Sequence, residues 1–264
     1  MFNLSFFPFN PELNIMLTQF SRSEMLFGKE STGILKNKQV AVFGLGGVGS
    51  FVVEGLVRSG IGKFVLIDKD KVCITNLNRQ LLATTLTLGK PKVEAMRDRI
   101  LEINPDTEVD IHQCFFGAGN VAEFDFSQFS YVIDCIDTLS SKLIILEETN
   151  KNHIPLISCM GTGNKLDPTR LELADIHKTS VCPLARAMRQ EVKKRRIKKL
   201  KVLYSRELPL PPIASEEFRG RMDSEKKRPV PGSVSFVPSV AGLIIAGEVI
   251  KDLLGYKTKI KGKT

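Results

Sequence analysis

The run "QVAVFGLGGVGS" (residues 39–50) narrows the possible folds further than any other stretch. Its β-branched start, "QVAVF" (39–43), leads straight into glycines. Apolar positions at helical spacing follow at Val52, Val53, Leu56 and Val57, Gly60 and Gly62 close the helix, and "KFVLID" (63–68) reads as a second strand. Strand, glycine turn, helix and strand in that order form a parallel β-α-β unit with a right-handed crossover. Gly44, Gly46 and Gly49 spell G-x-G-x-x-G, with Gly47 added. The first glycine permits a tight turn, the second lets a phosphate approach the backbone, and the third allows close helix–strand packing. The N–H groups opening the helix favour an anion. Asp68, ending the second strand, is placed to accept hydrogen bonds from ribose hydroxyls. The competing reading is a glycine turn capped by an aspartate.

The alternation continues. "KPKVEAMRDRILEIN" (90–104) reads as a helix, "TEVDIH" as a strand, "YVIDCID" (131–137) as a strand ending on carboxylates, "SSKLIILEETNKN" as a helix and "IPLISCM" as a strand. The fold expected is α/β: a Rossmann-like, doubly wound, mostly parallel sheet with helices on both faces and a C-terminal α+β extension. Residues 1–16 read as an N-terminal extension, with Met16 an alternative start, and residues 17–264 as one domain, with a nucleotide-binding core over about 36–165 and an extension over about 166–264. In the latter, 182–199 reads as a basic helix, 205–233 as a long exposed connection, 233–237 as a strand and 239–254 as a helix.

A dinucleotide oxidoreductase needs Asp68 but has no use for cations aimed beyond it. Arg79 follows the second strand, Lys92 opens the next helix, and Asp137 lies past the "YVIDCID" strand. All three belong to the carboxyl edge of the sheet, where ligands bind in such folds. Two cations and a carboxylate suit a triphosphate with Mg²⁺. Asn76 and Asn78 are further candidates for phosphate oxygens. The cofactors expected are therefore ATP and Mg²⁺.

"GLGGVGS", "LIDKDKVCITNLNRQ", "GKPKVEAMRDRILEINP" and "YVIDCID" together resemble the ubiquitin-activating-enzyme-like adenylating family, which includes activators of sulfur-carrier proteins. The resemblance implies that Asp68 binds ribose, that Arg79 and Lys92 contact phosphates and that Asp137 coordinates Mg²⁺. It implies a homodimer in which Arg22, in "QFSRSEMLFG", reaches the partner's ATP. Where the family often has a second arginine, three residues earlier, this chain has Gln19. "MGTGNKLDPTRLELADIHKTSVCPLA" and "SFVPSVAGLIIAGEVIKDLLG" resemble the branch that dehydrates threonylcarbamoyladenosine in tRNA. That branch adenylates the threonyl carboxylate beside the anticodon and closes a cyclic hydantoin. The resemblance also leaves room for a monovalent cation and for a cysteine-desulfurase or sulfur-acceptor partner.

The net charge of +9 favours an anionic partner. Much of it lies in "RAMRQEVKKRRIKKLK", where Arg189, Lys193, Lys194, Arg195, Arg196, Lys198 and Lys199 face the one acid Glu191. Such a run supplies sequence-independent phosphate contacts to tRNA; the plainer reading is a solvated helix face. The five cysteines include no C-x-x-C pair. That speaks against a zinc ribbon, against the sulfur-carrier branch with its two such pairs, and for a reducing, cytoplasmic setting. Cys182 reads as inert, as a thioester nucleophile or as a sulfur-relay residue, and the three histidines show no ligand spacing. No stretch reads as a transmembrane span, since Pro238 and Glu248 interrupt the apolar C-terminal run; peripheral membrane contact stays open. The alternatives are an adenylyltransferase for a sulfur-carrier protein, an NAD oxidoreductase, and an RNA-binding protein with a vestigial nucleotide site.

Overall fold

The computed structural model describes residues 17–211, 213 and 230–256. The expected N-terminal extension 1–16 and most of the connection at 205–233 lie outside the described residues. Seven strands form one sheet: β1 (Gln39–Phe43), β2 (Lys63–Ile67), β3 (Glu108–His112), β4 (Tyr131–Asp134), β5 (Leu156–Cys159), β6 (Leu171–Asp175) and β7 (Lys201–Ser205), in the order β3-β2-β1-β4-β5-β7-β6. All pairings are parallel except β6 with β7. The chain reverses direction across the sheet between β1 and β4, the topological switch point at which such sheets open a crevice.

Central parallel strands are covered on both faces, so they are apolar throughout rather than alternating. In β1, Val40 and Val42 point into one core with α3 (Gly49–Arg58), α4 (Lys92–Ile103) and α7 (Phe236–Leu253). Ala41 and Phe43 point into the other, where Phe43 meets Phe116 edge-on at 4.7 Å and stacks on Phe126 at 5.9 Å. α5 (Leu139–Lys151) covers that face, and α6 (Pro183–Lys194) packs beside it through Ala185, Met188 and Val192. Two short helices, α1 (Ser21–Phe27) and α2 (Glu30–Lys36), precede β1.

The C-terminal part departs from the sequence reading at three places. The basic helix stops at Lys194, not 199, because Arg196 turns left-handed (φ 55°) and Ile197 N–H bonds back to Val192 O. The chain then re-enters the sheet as β7, which the sequence reading does not anticipate, in register between β5 and β6. No strand forms over 233–237. Instead α7 begins at Phe236 and takes Pro238 into its first turn, where a missing N–H costs no helical bond. α7 runs tightly along α3: a Cβ on Gly242 would lie 2.5 Å from Val48 O, and one on Gly55 2.7 Å from Ala246 Cβ. Its small residues thus set the position of the helix that carries the glycine turn.

Candidate active site

The turn between β1 and α3 is built as the sequence implies. Gly44 has φ 90°, a region that disfavours side chains. A Cβ on Gly49 would sit 1.8 Å from Gly44 O, so the helix can begin against the turn only with glycine there. At Gly46 a Cβ would meet nothing, so the backbone borders open space. Gly44, Gly46 and Gly47 line a cavity of about 830 Å³ at the carboxyl edge of the sheet. That size is within the range of small-molecule sites.

Asp68, its side chain 8% exposed, is locked beside this turn. Oδ2 accepts from Leu45 N at 2.6 Å and Oδ1 from Asp70 N at 2.8 Å. Burial raises its pKa above the ordinary aspartate value, against the opposing pull of the Lys92 ammonium and of those two N–H groups. Lys92, buried at the first position of α4, reaches Asp70 Oδ2 at 2.9 Å and lies 4.0 Å from Asp68 Oδ1. Arg79 lies against the cavity with Nη1 tied to Thr75 O at 2.8 Å and Asn78 Oδ1 at 3.0 Å. Burial holds its guanidinium below the usual arginine value. Asp137 lines the same cavity from the end of β4.

Both asparagines bond within the protein, and Asn76 also lines the cavity while Asn78 does not. Asn76 is buried and its Oδ1 accepts from Cys73 N at 3.1 Å, capping the short turn Ile74–Asn76. Asn78 Nδ2 donates to Ser233 O at 2.9 Å, tying this loop to the chain entering α7. Arg22 is exposed on α1 and is not among the residues lining the cavity. Of the basic run, Arg189 bonds Thr179 through its carbonyl and its hydroxyl, Lys194 pairs with Glu191, and Arg195 pairs with Glu147 and Glu191. Lys193, Arg196, Lys198 and Lys199 are exposed, with no ion pair among the described residues.

Further residues line the cavity from the stretches that carry the family resemblance, and of these only Cys182 is singled out by the sequence reading. Lys165 and Cys182 are buried along the cavity's far wall, on the β5 side, with Thr162, Gly163 and Asn164. Gln80 is buried in the wall, and its Oε1 has no hydrogen-bond partner among the described residues. Beneath the floor, Lys142 Nζ donates to Asp134 Oδ2 (2.9 Å), Ser158 Oγ (3.2 Å) and Cys159 O (2.7 Å). Pairings of this kind are set by the sheet order, which local periodicity does not encode. Burial pushes the Cys135 thiol well up and the Cys159 thiol to about 12, so both are poor nucleophiles. Among the described residues there is no cluster of three metal-ligating side chains, and no helix is long and apolar enough to cross a membrane.

A family model described as the ThiF family matches residues 20–264. The chain is 46% identical over 245 residues to the tRNA threonylcarbamoyladenosine dehydratase of Bacillus subtilis (strain 168), across 90% of this chain and 96% of that one. It is 38% identical over 175 residues to the protein of the same name from Escherichia coli (strain K12), a match spanning 66% of this chain and 65% of the relative. Among solved structures, that of E. coli tRNA N6-threonylcarbamoyladenosine dehydratase in complex with ATP superposes with a TM-score of 0.79 at 31% identity, over 90% of this chain and 94% of that one.

Proposed function

The chain belongs to the ThiF family, and we propose that it is an ATP-dependent tRNA threonylcarbamoyladenosine dehydratase. The observation carrying this reading is the near full-length match to the B. subtilis enzyme, joined to one cavity that holds the glycine turn, Asp68, Arg79, Lys92 and Asp137. The sulfur-carrier alternative is not favoured: the B. subtilis and E. coli relatives are tRNA enzymes, and the chain has no C-x-x-C pair.

In this reading ATP lies with its ribose on Asp68 and its phosphates over the glycine turn. Leu45 N–H holds Asp68 Oδ2 against that turn, and Asp70 N–H holds Oδ1 on the side of its own loop. Lys92, poised between Asp68 and Asp70, takes phosphate oxygens in place of the Asp70 carboxylate, which is half exposed and easily released. The partners of Arg79 engage only Nη1, which fixes the guanidinium plane and leaves its other N–H groups for phosphate. Asp137, which lines the cavity, is the carboxylate that would hold a nucleotide-borne Mg²⁺, a cation that needs one or two protein carboxylates and takes its remaining ligands from phosphate and water. When bound, that ion would neutralise phosphate charge. In a homodimer Arg22, exposed on α1, would serve the neighbouring subunit's nucleotide.

A threonyl carboxylate oxygen attacks the α-phosphorus and pyrophosphate leaves. The carbamoyl nitrogen then attacks the activated carbonyl carbon, losing its proton as AMP departs. The nucleoside loses one water and closes a five-membered ring. Both ends of the ring belong to one substituent, so the protein's task is orientation and charge stabilisation; well-oriented intramolecular reactions gain about 7–11 kcal/mol from proximity. Lys193, Arg196, Lys198 and Lys199 supply the exposed charge for tRNA phosphates.

The test is to incubate the protein with ATP, Mg²⁺ and tRNA carrying threonylcarbamoyladenosine, then weigh the nucleoside. ATP-dependent loss of one water is expected, abolished by Lys92→Ala and by Asp137→Ala while circular dichroism stays unchanged. An unaltered nucleoside, or AMP formed only with an added carrier protein, overturns the reading.

A further inference from the structure

We infer that Lys165 is the docking cation for the substrate carboxylate that is to be adenylated, an inference that rests on the function proposed above. Lys165 is 3% exposed yet lines the cavity, and its ammonium has no hydrogen-bond or ion-pair partner among the described residues. The fold's other buried lysines are matched: Lys142 has three acceptors, and Lys92 has Asp70 and Asp68. A buried ammonium without an acceptor weakens a fold unless a ligand supplies one.

The backbone around Lys165 is held so as to keep that ammonium in place. Asn164 adopts a left-handed conformation (φ 58°) and is bonded through its backbone and its side chain. Its N–H donates to Gly232 O and its Oδ1 accepts from Gly232 N, at 2.8 and 2.7 Å; its carbonyl accepts from Leu210 N, at 2.8 Å. A further constraint comes from the next turn, where the Glu207 carboxylate receives Leu166 N and Asp167 N, both at 2.9 Å. A left-handed non-glycine residue held this firmly at a cavity wall is the kind of local strain that persists where it positions a neighbour.

Position along the sheet edge decides which ligand group arrives. Asp68 ends β2, the glycine turn ends β1, Asp137 follows β4, and the loop carrying Lys165 follows β5. With ribose at β2 and phosphates at β1 and β4, the β5 wall lies past the phosphates, where the acyl group must wait. The group to be activated there is anionic before reaction and neutral after it, so an ammonium favours the incoming carboxylate and releases the acylated product. Burial lowers the Lys165 pKa against the opposing pull of Cys182 and of the Glu207 carboxylate, so the site loses its charge earlier on alkalinisation than an ordinary lysine would.

The experiment compares wild type, Lys165→Met and Lys165→Arg using ATP and two tRNAs, one carrying threonylcarbamoyladenosine and one with unmodified adenosine. For Lys165→Met, kcat/KM for cyclisation should fall on the order of 100-fold, the loss typical of an unpaired buried charge, and the preference for modified over unmodified tRNA should fall to near parity. ATP affinity and binding of unmodified tRNA should stay within about twofold. The apparent melting temperature should be equal or higher, since an unpaired buried charge has been removed. Lys165→Arg should keep most of the preference. A wild type that cyclises the nucleoside alongside a Lys165→Met variant with unchanged preference overturns the inference and leaves the proposed function standing. A Lys165→Met variant that melts lower and loses ATP binding makes the residue structural and also overturns it. A wild type with no ATP-dependent loss of water removes both.

Discussion

Replacing Lys142 by methionine should destabilise the protein by about 3 kcal/mol, the low end of the range for breaking a buried ion pair. Lys142 and Asp134 are 0% and 1% exposed and meet at 2.9 Å. The ammonium has an acceptor for each of its three protons, two of them on β5 residues. Methionine preserves most of the volume, so cavity formation contributes little. What remains is the Asp134 carboxylate in an apolar floor, still receiving Ser158 Oγ at 2.5 Å and Ile136 N at 3.1 Å. Those two donors are the reason for choosing the low end. For a chain of this size about 3 kcal/mol corresponds to a fall in melting temperature of ~6–12 °C. Urea denaturation at pH 7 would show it as a lower midpoint at constant slope. The double variant Lys142→Met/Asp134→Leu should recover much of the stability, because no charge is then stranded. A single variant within about 0.5 kcal/mol of wild type, or a double variant whose destabilisation equals the two singles added together, would refute this account of the floor.

Acidification should weaken ATP binding at a higher pH than an ordinary aspartate would allow, because burial raises the Asp68 pKa and a protonated carboxyl no longer accepts from both ribose hydroxyls. The stability effect has the opposite sign: the ionised carboxylate costs stability as pH rises from the unfolded to the folded pKa, so Asp68→Asn should flatten both dependences. Nucleotide titrations and thermal melts between pH 4 and pH 8 read both, the pH limits being about those over which carboxylates and most folds stay informative. Reversing charge at Lys193, Arg196, Lys198 and Lys199 together should weaken tRNA binding, spare ATP binding, and reduce the salt slope by about 0.7–0.9 for each phosphate no longer neutralised. The same reversal at Lys194 should do less, since Glu191 already holds that side chain; an equal effect at both sets would place the tRNA elsewhere.

The nucleotide half of the fold was readable because its constraints are local. Gly44 and Gly49 are demanded by a positive φ and by a backbone contact between residues five apart, and β1 and β2 announce themselves as apolar runs. Asp68, Arg79, Lys92 and Asp137 could be assigned to one edge because a parallel sheet sends every strand's carboxyl end to the same side. Asn78 shows where that logic stops: it ties its loop to the chain entering α7 and does not line the cavity, whereas Asn76 lines it while also bonding its own turn. The C-terminal half is held by distant pairings. β7 lies between β5 and β6 although its sequence follows a run of lysines, and Arg196 ends the preceding helix through a backbone turn that its side chain does not advertise.

The order of charges along the sheet edge gives the site a direction. A carboxylate with Lys92 beside it stands at β2, Arg79 and the glycine turn at β1, a carboxylate after β4 and an ammonium after β5. Adjacent strands lie ~4.8 Å apart, so the three steps from β2 to β5 cover ~14 Å. In the proposed reading a sugar that donates hydrogen bonds, a polyanion and a second anion follow that order from β2 to β5. In the reverse orientation the phosphates would face Asp68, already buried with its charge poorly solvated, and the ribose would face an ammonium to which hydroxyls are weak acceptors. On the function proposed above, electrostatics of this kind would select both the nucleotide's polarity and the end at which its partner enters, before any contact specific to tRNA is made.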